Sequence, residues 1–156
     1  MFDERTEKNL ATLDPKAQEL FRPFIVAAKK IAGIHGCEYI AISGNRTWKE
    51  QDALYAIGRT VMPNKPRVTN ARGGQSNHNF RIALDFGVFK NKKYLDNSNP
   101  KLASQVHKAV AAVAAQFKLE WVGNWKTFKD EPHFEVATGL TLAQKRAKYL
   151  KNGTVL

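Results

Sequence analysis

The sequence predicts an α+β domain in which a small, mostly antiparallel sheet carries helices packed on it. Three observations lead there. Apolar residues recur at helical spacing in two long stretches, residues 17–31 and 102–117. Short runs between turn signals, Cys37–Ser43, Ile82–Phe89, Leu119–Gly123 and His133–Val136, read as strands. These runs are few, and the helices between them are of uneven length, unlike the regular alternation that builds a parallel sheet.

Taken in order, residues 1–13 read as an N-terminal tether with little packing of its own. Asp14-Pro15 supplies an N-cap followed by proline at the first helical position. Ala17, Leu20, Phe21, Phe24, Ala28 and Ile31 then form one apolar face, and Pro23 is expected to kink the helix or end it early. Thr47 and Glu50 form a capping box for a helix over Trp48–Ile57, closed by Gly58. Residues 58–75 form a long loop rich in Gly, Pro and Arg, and loops of that length in a compact domain are usually functional or mobile. Asn99-Pro100 opens the second long helix, with Leu102, Val106, Val110, Val113 and Phe117 on its core face. His107 lies off that row and is not read as a ligand, and His35 reads as a turn residue. Thr141 and Gln144 cap a last, basic helix within residues 138–156, ending near Gly153.

The chain of 156 residues is read as one domain, 1–156. With 43% apolar and 25% charged residues it has the composition of a folded soluble protein. Its apolar runs are too short to span a bilayer. The start, Met1 to Lys8, lacks the basic-then-apolar layout of a secretory signal, so the expectation is synthesis in the cytoplasm and, for any outside role, release by another agent. The single cysteine, Cys37, excludes an internal disulfide framework and reads as a small buried group. A formal net charge of +11 favours a polyanionic partner: nucleic acid, an anionic membrane face or an acidic cell wall. Charge does not choose among them, and no motif supports specific nucleic-acid binding.

Two stretches carry chemistry. Gly73 to Phe86 offers His78 and, seven residues later, Asp85 inside an apolar run. Burying that carboxylate between Leu84 and Phe86 is costly unless something cationic compensates it. Trp125 to Glu135 offers Asp130 and His133. Two His and one Asp make a three-ligand set for a catalytic zinc with a position left for water, and Asp130 is then free to act as base. The spacing equally permits a surface His78, a hydrogen-bonded buried Asp85 and a strand-end His133. Neighbouring Glu131 competes with Asp130 for the role of base. The basic loop, with Arg59, Lys65, Arg67 and Arg72, is either a solvated loop or a substrate wall that meets carboxylates. Trp125 and Phe80 suit either a groove or the core.

Ser76-x-His78, Asp85 and Asp130-x-x-His133-Phe134 together resemble the signature of the zinc D-Ala-D-Ala carboxypeptidase family, and within it the phage endolysin L-alanyl-D-glutamate peptidases. Ser43-Gly44-Asn45-Arg46-Thr47, Glu50 to Tyr55, Gly58-Arg59-Thr60, Val68 to Ala71, Gly73 to Asn79 and Trp121 to Lys126 resemble stretches of that branch in the same order. The resemblance covers roughly residues 8–137. It implies a hedgehog- or DD-peptidase-like fold with zinc held at the sheet by His78, Asp85 and His133, and Asp130 as the general base. Arg46 is implied to steady the oxyanion, a role suited to a permanently charged guanidinium. Ser76, Arg67 and Trp125 are the expected substrate-binding residues. The implied reaction is cleavage of the L-Ala–D-Glu bond of the peptidoglycan stem by a monomeric endolysin that reaches the anionic cell wall from the host cytoplasm after holin-assisted release. A D-Ala-D-Ala carboxypeptidase or dipeptidase of the same family is the alternative, and a non-catalytic basic module that binds wall or nucleic acid belongs to a different class. One departure is plain: the family usually has Gly three residues after the first His, and this chain has Arg81.

Overall fold

The computed structural model describes residues 1–124 and 130–156. The elements are helices α1 (Glu4–Leu10), α2 (Pro15–Ile34), α3 (Trp48–Ala56), α4 (Leu95–Ser98), α5 (Pro100–Ala111) and α6 (Leu142–Asn152). The strands are β1 (Glu38–Ser43), β2 (Ala83–Lys90), β3 (Lys93–Tyr94), β4 (Leu119–Trp121) and β5 (His133–Val136). They form one sheet in the order β1-β2-β5-β4, with β3 paired to β2 off that path, and the pairings between these strands are antiparallel.

Alternation along the strands sorts the two faces. Leu84, Phe86 and Val88 of β2, Phe134 of β5 and Tyr39 of β1 are fully buried with α2 and α5. Phe24 of α2 packs on Phe86, Phe134 and Phe117, and Tyr39 stacks on Phe86. The opposite face presents Asp85, His133 and Glu135. Polar residues inside otherwise apolar strands are thus collected on one side by the two-residue period alone.

The predicted tether at 1–13 is instead part of the fold. Asp3 caps α1, and Leu10 and Leu13 are fully buried. β1 is an edge strand, whose outward backbone groups need partners. Thr6 Oγ1 accepts from the Ala41 amide at 3.1 Å, and Asn9 Nδ2 donates to the Ala41 carbonyl at 2.9 Å. A short helix with a polar face therefore completes the sheet edge. Pro23 does not end its helix, because α2 runs unbroken from Pro15 to Ile34. The strand expected over 119–123 stops at Trp121 and passes into a 3₁₀ turn, Val122–Asn124. Both capping boxes, Thr47/Glu50 and Thr141/Gln144, form as expected.

Helices do not all lie on one side. α6 reaches the polar face: Lys145 bonds Glu135, Arg146 Nη1 donates to the Gly74 carbonyl, and Tyr149 packs against Trp48 and Phe80. Lys145 of this basic helix is therefore buried, and Phe80 is a core residue with no surface for a groove. His107 is also buried, between Tyr39 Oη at 2.7 Å and Asp96 Oδ1 at 2.6 Å. No described helix is long and apolar enough to cross a membrane.

Candidate metal centre and active site

β2 and β5 bring the first two donors together by register, since Asp85 and His133 are directly opposed. The third comes from a 3₁₀ turn, Asn77–Asn79, whose N-cap Ser76 accepts from the His78 amide. The turn is fixed further where the Arg46 amide donates to the His78 carbonyl at 2.8 Å and Asn79 Nδ2 donates to the Arg46 carbonyl at 2.9 Å. Among the described residues, His78, Asp85 and His133 form a group able to hold a metal ion, with donor atoms within 4.8 Å of one another.

The atoms that converge are His78 Nε2, His133 Nδ1 and Asp85 Oδ1. Asp85 Oδ1 lies 3.1 Å from His78 Nε2 and 3.0 Å from His133 Nδ1, and the two nitrogens are 3.1 Å apart. Donors placed about 2.0–2.1 Å from a tetrahedral zinc stand about 3.3 Å from one another, so the cluster needs little adjustment. Each ring has its other nitrogen tied off. His78 Nδ1 donates to the Gly44 carbonyl at 2.9 Å, and His133 Nε2 donates to Glu135 Oε1 at 3.1 Å. With metal in place of the inner protons, both rings would turn a lone pair toward the point they share with Asp85 Oδ1, the arrangement that orients metal-binding histidines. The donor set fits zinc.

Gly44 is required where it stands. A Cβ there would come within 2.4 Å of Thr12 Oγ1 and 2.7 Å of the Asn9 carbonyl, so only glycine lets α1 pass and keeps the carbonyl on His78. Arg81 adopts a left-handed φ of 61°, which explains why the resembling family has glycine at this place. Here Asn45 Oδ1 accepts from the Arg81 amide, while the guanidinium donates to the carbonyls of Thr12 and Leu13. The backbone shape is kept at the cost of a strained residue.

Electrostatics follow from this packing. Burial opposes the charged form of Asp85, but hydrogen bonds from His133 and His78 and their charge outweigh it and hold the carboxyl well below its ordinary value. Burial likewise opposes a charged His133, yet hydrogen bonds to Asp85 and Glu135 raise that ring to about 9. Asp130 shifts the other way: burial, then the negative charge of Asp85, raise its carboxyl, the direction that suits a base.

His78, His133, Asp130 and Ser76 line one cleft of about 690 Å³, whose wall includes Val68 to Ala71. Glu131 does not line it, and its Oε1 accepts from Ser104 on α5. That placement leaves Asp130, and not Glu131, facing the cleft. Arg46 is not among the lining residues, and its Nη1 donates to Gln51 Oε1 at 2.8 Å. Arg67 is exposed on the loop just before the lining segment. Trp125 lies outside the described residues. Sequence reasoning missed Gln51, fully buried on α3, whose Nε2 donates to the Ala71 carbonyl and holds the cleft wall. It also missed Glu135 and Lys145; the strand period that places Glu135 on the face of His133 was the available signal.

The family model described as D-alanyl-D-alanine carboxypeptidase matches residues 69–136. The peptidoglycan L-alanyl-D-glutamate endopeptidase CwlK of Bacillus subtilis is 39% identical over 117 residues, covering 70% of this chain and 67% of that protein. Among solved structures, the L-Ala D-Glu endopeptidase ChiX of Serratia marcescens aligns with a TM-score of 0.53 and 23% identity, over 86% of this chain and 88% of that one. A mutant of the vancomycin-resistance D,D-pentapeptidase VanY, in complex with Zn(II), aligns with a TM-score of 0.54 and 16% identity, over 91% of this chain and 80% of that one. The chain belongs to the D-alanyl-D-alanine carboxypeptidase family, and it is a metallopeptidase.

Proposed function

We propose that this chain is a zinc-dependent peptidase that cleaves the L-Ala–D-Glu bond of the peptidoglycan stem peptide. The observation that carries the chemistry is the convergence of His78 Nε2, Asp85 Oδ1 and His133 Nδ1 beside a cleft that also holds Asp130. The choice of bond is supported by the 39% identity to an L-alanyl-D-glutamate endopeptidase.

His78, Asp85 and His133 would hold the zinc, which when bound supplies the Lewis acidity that makes water a nucleophile near neutral pH. Asp130 accepts the proton of the attacking water and delivers it to the leaving amine. Arg46, which the resemblance assigns to the oxyanion, bonds Gln51 and does not line the cleft in this structure, so its guanidinium would have to turn toward the centre to steady the charge that develops on the carbonyl oxygen. Ser76 fixes the amide of His78 and presents its own edge to the cleft, while Arg67 and Trp125 meet the substrate. As a lytic enzyme, the protein would reach the anionic wall through its basic surface.

A D-Ala-D-Ala carboxypeptidase is the second reading, supported by the description of the matching family. Mass spectrometry of peptidoglycan digested with zinc-loaded protein separates the two. New stem peptides beginning at D-Glu are expected; release of free D-Ala without them would select the carboxypeptidase, and neither product would overturn the proposal.

A further inference from the structure

The two histidines of the centre are mounted differently. His78 is held by a backbone carbonyl, which needs nothing behind it. The outer nitrogen of His133 meets the side chain of Glu135, a carboxylate only 2% exposed. A buried carboxylate is stable only when charge and hydrogen bonds compensate it. Its second oxygen receives Lys145 Nζ at 3.1 Å, and that ammonium is itself 6% exposed. Lys145 Nζ also donates to Asn77 Oδ1 at 2.8 Å, on the same 3₁₀ turn that carries His78.

One ammonium on α6 thus touches the supports of both histidines. α6 is not free to carry it elsewhere, since Arg146 donates to the Gly74 carbonyl and Tyr149 packs on Trp48 and Phe80. The helix lies beyond the segment that the family model matches.

We propose that Glu135 and Lys145 are positioning residues for the metal centre. Glu135 fixes the His133 tautomer so that Nδ1 is the ligand atom, and Lys145 holds Glu135 and the His78 turn in one register. The inference rests on the zinc reading above. It makes the last helix a part of the centre's mounting, in addition to any role in attracting anionic surfaces.

The test is zinc affinity at one fixed pH, measured by competition with a chelator, together with the melting temperature of the metal-free protein. Losing such an outer partner typically weakens metal binding about 10–100-fold, and that is the loss expected for Glu135→Gln. Lys145→Met is expected to weaken it about tenfold through the freed carboxylate, on that same scale. The sign is informative, because removing a cation near a divalent ion would, by relief of Coulomb repulsion alone, tighten binding. If the single lysine variant fails to fold, the double variant Glu135→Gln/Lys145→Met removes both charges together and is expected to show the loss of Glu135→Gln. Wild-type zinc affinity in folded Glu135→Gln and in the lysine or double variant, even with a lowered melting temperature, would make the pair merely structural and overturn the inference alone. A wild-type chain that binds no zinc in the same titration would overturn the zinc reading itself, and this inference with it.

Discussion

The floor and the wall of the cleft are built by opposite means. The floor is two hydrogen-bonded strands and one turn, in which register alone opposes Asp85 to His133 and each histidine has a second partner behind it. The wall is the irregular segment 58–76. Its C-terminal part is tied to α3, where Gln51 holds the Ala71 carbonyl and Asp52 Oδ1 accepts from the Gly73 amide. Farther out it exposes Val61, Met62, Arg67 and Val68. Reaction geometry tolerates little displacement, so it sits on paired backbone; contacts that select a substrate can sit on a loop.

The largest effect should come from breaking the floor. His78→Ala or His133→Ala is expected to abolish both zinc binding and peptidase activity, read by metal analysis of the purified protein, which should carry about one zinc per wild-type chain. Stoichiometric zinc in either variant would remove that residue from the ligand set.

Next comes pH. In the metal-free protein His133 is held at about 9, so near neutrality zinc must displace a proton. Affinity for zinc should rise about tenfold per pH unit toward that value and level off above it. Stability of the metal-free protein should move oppositely. The folded value lies above the ordinary 6.5, so the contribution is full below 6.5 and is lost as pH rises through about 9. Melting temperatures of chelator-treated protein across that window check the sign.

Salt should separate the basic surface from the floor. Screening lengths fall from ~10 Å at 0.1 M to ~3 Å at 1 M, so under the lytic role proposed above, lysis of cells should drop steeply over that range while cleavage of a short soluble stem peptide drops mildly. Equal sensitivity would place the effect of charge at the active site. The smallest effect belongs to the wall: an exposed ion pair is worth about 0.2–1 kcal/mol, so Arg67→Ala should raise KM by no more than about fivefold. Its zinc content should be unchanged, and a lost zinc would join the wall to the floor.

These two regions also differ in how far the sequence disclosed them. The capping boxes at Thr47 and Thr141 are local, and they form as their residues demand. The donor set of His78, Asp85 and His133 is spread over three elements, so spacing left it open and only the resemblance singled it out. Residues 1–13 read as a tether because their use is non-local: Thr6 and Asn9 serve the edge of a strand reached only in the folded chain. Lys145 sits on a helix that reads as basic, and nothing beside it in sequence announces the carboxylate it meets on the polar face of the sheet. Arg81 is the converse case, a residue that looks misplaced until its left-handed backbone and the carbonyls around its guanidinium are seen.

The most direct test of the floor is Asp130→Asn, because it separates holding the metal from moving the proton. Zinc content and turnover of a stem peptide should be measured on one preparation. About one zinc per chain is expected, as in the wild type, with turnover lower by roughly 10²-fold or more, the scale of a lost general base. Loss of zinc would make Asp130 a ligand, and unchanged turnover would move the base elsewhere, with Glu131 next to be tried; either result would contradict the division of labour described for this cleft.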